Sequence, residues 1–62
     1  MLLLIRSALD SLQVAPVRER TPERLQDALD HWCDAYLIPA SAREAMLIEA
    51  LTLARQRGLL QE

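Results

Sequence analysis

A single cysteine, Cys33, in a chain of 62 residues removes the usual means of holding so small a fold together. No internal disulfide can form. One histidine, His31, beside that cysteine makes no set with zinc spacing. Ordering the chain costs roughly 90 kcal/mol at about 1.5 kcal/mol per residue, while a domain of this size withdraws only about 60% of its unfolded surface from water. Yet 52% of the residues are apolar, a high share for a chain this small. The staple that remains is a second subunit, so the composition predicts a homodimer or a member of a larger complex.

The opening run Met1-Leu2-Leu3-Leu4-Ile5 has no basic residue before it, is interrupted by Arg6 and is followed by Asp10, which argues against a secretory leader. No stretch approaches the roughly 18 apolar residues of a membrane span. The expected setting is a reducing cytoplasm, with no membrane partner. The net charge is −2 and all seven basic residues are arginines. A weakly acidic chain does not project a strong field toward nucleic acid, although arginine's fork of donors suits carboxylates, phosphates and guanine edges.

Periodicity predicts one mainly α domain over residues 1–62 with three helices. The first, about 2–13, places Leu2, Ile5 and Leu9 at helical spacing, with Arg6, Asp10 and Gln13 on another face. Pro16 then disfavours helix at Ala15, so residues 16–21 read as a linker or a short extended segment. Thr21-Pro22-Glu23 starts the second helix, about 22–36: threonine caps, proline takes the first helical position, and glutamate meets the positive end of the dipole. Leu25, Leu29, Trp32 and Tyr36 form its apolar stripe. Ser41-Ala42-Arg43-Glu44 reads as a capping box for a third helix, about 42–57, that stops at Gly58. Met46, Leu47, Ile48 and Leu51 spread around that helix beyond a single stripe, a pattern expected of a helix buried on most sides. These apolar residues of the three helices are the expected dimer or partner interface.

Catalytic equipment is not evident. Asp27, Asp30, His31 and Asp34 share part of one helix, but one helix supplies at most two or three metal ligands and no second set exists, so they read as a solvated face. His31 and Cys33, two apart, point in different directions on a helix and make no nucleophile pair. With Gly58 as the only glycine there is no phosphate-cradling loop. No enzyme activity, cofactor or metal is expected. The chain can line a site only as a subunit of a larger enzyme.

From Val17 onward the order is a short segment with alternating arginines, a Thr-Pro-Glu helix start, an amphipathic helix, a turn, a capping box and an apolar helix. Leu29-Asp30-His31-Trp32, then Pro39-Ala40-Ser41, then Glu44-Ala45 complete the pattern. Over about residues 16–57 this resembles the ribbon-helix-helix family of DNA-binding regulators and antitoxins. The resemblance implies an intertwined homodimer in which residues 16–21 pair as a two-stranded ribbon that enters the major groove. It implies that Arg18 and Arg20 face DNA and that the amides of Ala42 and Arg43 hold a phosphate. Helix 1–13 is then an extension outside the family pattern. Where the family has apolar residues between the base readers, this chain has Glu19 and Thr21, and its turn has Leu37 and Ile38 in place of glycine. Without a strand the same sequence is an all-α three-helix bundle. Its function is then that of a small interaction module — an adaptor, anti-activator or accessory subunit — bound to a protein such as a regulator, a toxin or a larger enzyme.

Overall fold

The computed structural model describes residues 2–60 and, at Leu2, the backbone alone. Three helices run Leu2–Val14 (α1), Pro22–Ala35 (α2) and Ala40–Gln56 (α3), each within two residues of its expected bounds. No strand occurs among the described residues. The chain is therefore the all-α bundle and not the ribbon-bearing arrangement.

Residues 16–21, expected to be extended, contain a 3-10 turn at Val17–Glu19. The reason is local. A lone strand leaves its backbone donors without partners, whereas a turn satisfies them at once. Pro16 enters the turn at φ −55° and ψ 147°, and its carbonyl accepts the Glu19 amide at 2.8 Å. The Val17 carbonyl accepts the Arg20 amide at 3.1 Å. Arg20 then reaches back: its guanidinium donates to the carbonyls of Gln13 at 2.8 Å and Ala15 at 3.2 Å. Those carbonyls close α1, whose last turn has no further helix to satisfy it.

α2 starts as its sequence dictates. Thr21 is extended, its hydroxyl accepts the Arg24 amide at 3.2 Å, and Pro22 takes the first turn. The start of α3 differs from expectation. Pro39, not Ser41, is the capping residue, and no side chain caps the helix. Once Pro39 is held extended at ψ 154°, its carbonyl receives both the Ala42 and Arg43 amides at 3.1 Å. Ser41 falls inside the first turn and the box with Glu44 is not used.

The two later helices end in the same motif. After α2, Leu37 at φ 56° reverses the chain, its amide bonds to the Asp34 carbonyl, and the Ile38 amide bonds to the Cys33 carbonyl at 2.9 Å. After α3, Gly58 at φ 67° does the same, with bonds from Gly58 to Arg55 and from Leu59 to Ala54. In both, the residue that follows the reversal tucks back on the core, the usual hydrophobic contact of this helix ending. Glycine adopts that backbone freely. A leucine does so at a cost of roughly 1–2 kcal/mol.

The core is one contiguous cluster. α1 contributes Leu4, Ile5, Ala8, Leu9 and Leu12; α2 contributes Leu25, Leu29 and Cys33; α3 contributes Met46, Ala50 and Ala54. The alanines of α3 let its backbone lie close against the larger side chains of α1 and α2, so large and small residues interlock. The expectation that α3 is buried on most sides is corrected here: only the stripe Met46, Ala50 and Ala54 is buried, Leu47, Leu51 and Leu53 are half-buried at its margin, and Ile48 is exposed. The accessible surface of 4223 Å² for a 7.0 kDa chain is close to the roughly 4,000 Å² of a compact monomer. The radius of gyration, 10.6 Å, likewise matches the value of about 10.6 Å for a compact domain of this length.

Leu29→Ala is expected to lower unfolding free energy by about 3 kcal/mol, because it opens a cavity at a site with 1% exposure. Thr21→Ala is expected to lose only about 1 kcal/mol, the worth of one cap. Thermal and urea melts followed by circular dichroism measure both; equal losses would mean that the core at Leu29 collapses around the gap.

Candidate interaction surface

The four residues expected to touch DNA do not converge on a surface. Arg18 is exposed on the 3-10 turn. Arg20 braces the end of α1. Arg43 sits at the α2–α3 junction, where its guanidinium donates to the Ile38 carbonyl at 2.7 Å and to the Asp34 carboxylate at 2.6 Å. The Asp34 pairing lies at the surface and contributes at most about 1 kcal/mol; the bond to the carbonyl fixes the turn. The amides of Ala42 and Arg43, expected to hold a phosphate, are both bonded to the Pro39 carbonyl.

The residues expected at an interface divide into three groups. Ile5, Leu9, Leu25, Leu29 and Met46 are buried in this chain's own core and present nothing to a partner. Trp32, Leu47 and Leu51 are half-buried at its margin, with the Trp32 ring edge-on to His31 at 5.6 Å. Tyr36 and Ile48 are exposed. The side chain of Leu2 lies outside the described residues.

Glu23, Asp27, Asp30 and Asp34 recur at helical spacing along α2, on the face opposite Leu25, Leu29 and Cys33. Among the described residues, no three His, Cys, Asp or Glu side chains are grouped so as to hold a metal ion, and no helix is long and apolar enough to cross a membrane. Cys33 is a free thiol with no exposed surface. Burial pushes its pKa up from the ordinary 9.0; Arg43 pulls it down, and Asp30 and Asp34 push it up again. A thiol that stays protonated and covered is a packing residue, slow to react.

What the surface does offer lies at one end of the bundle, where the beginning of α1 meets the α2–α3 turn. Leu3, Leu4, Ser7, Tyr36 and Ile38 line a cleft of about 480 Å³. It is larger than the clefts of about 300 Å³ between α1 and α3 and about 210 Å³ between α1 and α2. Both smaller clefts carry charged walls: Arg6, Asp10 and Arg57 in one, Arg24 and Asp27 in the other. The larger one carries none. Leu3 is 76% exposed, Tyr36 62% and Leu37 87%. Sequence reasoning placed Tyr36 at an interface and missed Leu3 and Leu37. The usable signal was the turn itself, in which Tyr36, Leu37 and Ile38 stand where polar residues and glycine are usual.

No known protein family matches the chain, and no curated protein or solved structure shows detectable similarity to it.

Because the folded thiol of Cys33 holds its proton more tightly than the unfolded one, stability is expected to be level below about pH 8 and to fall as pH rises past the unfolded thiol's value. Urea melts between pH 7 and 10 measure this, and Cys33→Ala is expected to flatten the slope. Iodoacetamide is expected to label the native chain at least about ten-fold more slowly than the unfolded chain at the same pH. Equal rates would show Cys33 accessible in solution.

Proposed function

We propose that this chain is a small helical protein–protein interaction module — an adaptor, anti-activator or accessory subunit — that docks through the apolar end formed by Leu3, Tyr36, Leu37 and Ile38. One observation carries the reading: Leu3, Tyr36 and Leu37 remain exposed together beside a cleft with an uncharged lining, whereas the other exposed apolar residues, Val14, Val17 and Ile48, line no such cleft among the described residues. Contiguous exposed apolar surface of this kind marks interaction sites. Tyr36 in the lining of the cleft supplies a rigid, amphipathic anchor of the sort that dominates binding energy.

The regulator reading loses its support in the same structure. A base-reading ribbon needs residues 16–21 extended, and they form a turn. Two of the three arginines assigned to DNA are bonded to backbone carbonyls of their own chain. The net charge of −2 also opposes an approach to phosphate.

Photo-cross-linking in the source cell tests the proposal. A photoreactive residue in place of Leu37 is expected to trap protein, and one in place of Glu23, at the opposite end of α2, is expected not to. A gel shift against mixed DNA is expected to show no band. A salt-sensitive shift abolished by Arg18→Ala would replace this reading with the regulator.

A further inference from the structure

Leu37 combines two unfavourable features in one residue. Its backbone occupies the left-handed region at φ 56°, where a side chain collides with the chain and glycine is the ordinary choice. Its side chain is then left 87% in water. The end of α3 shows what the same helix ending looks like without that demand: there Gly58 makes the reversal, and a Cβ added to it would meet nothing. Leucine at position 37 gives the isolated chain neither easy backbone geometry nor buried area. Strained residues that project from a surface point to an interaction made elsewhere.

We infer that a second copy of this chain covers the apolar end, with Leu37 of each copy seated in the cleft of the other. This rests on the reading of that end as a docking surface. Three observations select a second copy. First, the face carries both a projecting side chain and, flanking it through Tyr36 and Ile38, a cleft of about 480 Å³. A knob and a hole on one face are what a two-fold contact needs, because residue and pocket exchange roles between copies. Second, Leu3, Leu4, Ser7, Tyr36 and Ile38 line the cleft without an ionised group. Two chains of net charge −2 can meet there without placing like charges together. Third, the area is right. Leu3, Tyr36 and Leu37, at 76, 62 and 87% exposure, present roughly 400 Å² of mostly apolar surface, taking about 200 Å² for a large side chain in full contact with water. A standard interface covers about 800 Å² per partner, of which about 57% is apolar.

Sedimentation equilibrium on the whole chain tests this. The mass is expected to rise from 7.0 kDa toward twice that value as concentration passes through the micromolar range. Leu37→Asn keeps a residue that tolerates the left-handed turn and removes the knob. It is expected to weaken self-association by at least about a hundred-fold, since each dimer loses the side chain twice. Its monomer should keep full helicity and a melting temperature no lower than the parent monomer's. Leu3→Gln, on the outer side of α1, is expected to weaken the dimer without touching the turn. A parent chain that stays at 7.0 kDa to millimolar concentration, or variants that associate as well as the parent, overturns the inference. If the parent is monomeric while a photoreactive residue at position 37 still traps a protein of another mass, the second copy is wrong and the docking surface stands. If position 37 traps nothing and the parent is monomeric, both fall.

Discussion

With neither a disulfide nor a group of metal-binding side chains among its described residues, this fold depends on the removal of one apolar face of α1 from water. α1 contributes Leu4, Ile5, Ala8, Leu9 and Leu12 to the buried cluster, more residues than either other helix. A helix of 13 residues is marginal in isolation, so α1 exists because α2 and α3 hold it. They in turn have no core without it: Leu25, Leu29, Met46 and Ala50 would face solvent. The segment outside the family resemblance is therefore the centre of the structure and not an attachment to it.

That dependence explains how the arginines are used. Arg20 closes the open end of α1 by bonding the Gln13 carbonyl in its last turn and the Ala15 carbonyl just beyond it, and Arg43 fixes the α2–α3 turn through the Ile38 carbonyl and the Asp34 carboxylate. Each spans a junction where the backbone leaves a helix and has acceptors to satisfy. A planar fork of donors can serve two acceptors at once, which a lysine cannot do with fixed geometry. In a fold with few long-range contacts to spare, these braces set where one helix stops and the next begins. They also commit donors of two guanidinium groups to acceptors within the chain.

The two ends of the bundle consequently differ in character. At the end where α1 leads into α2, Arg20 bonds the carbonyls of Gln13 and Ala15, and Val14 and Val17 stand exposed among the charged side chains of Arg18, Glu19 and Arg20. At the other, α1 begins beside a turn whose side chains are Tyr36, Leu37 and Ile38, and Ile38 alone of the three packs back against the core. Exposed apolar side chains occur at both ends and at Ile48 on α3, but among the described residues only those at the Tyr36 end adjoin a cleft with an uncharged lining. A single exposed apolar side chain is ordinary; several grouped at a cleft make a defined site.

The helices were legible because their signals are local. Apolar spacing, the Thr21-Pro22 start and Gly58 each act within a few residues, and helix bounds followed from them. The capping box at Ser41 was misread because Pro39, two residues earlier, already held the extended conformation that a cap requires. The ribbon was misread because alternation in Arg18-Glu19-Arg20 suits a strand only when a partner strand exists, and Arg20 found the carbonyls of α1 nearer. The sequence by itself determined that this chain is helical, where its helices lie to within two residues, and that one cysteine can close no internal disulfide. Only the tertiary structure decided which apolar residues are hidden and which are offered, because burial depends on how three helix faces meet in space, and no periodicity within one helix records that.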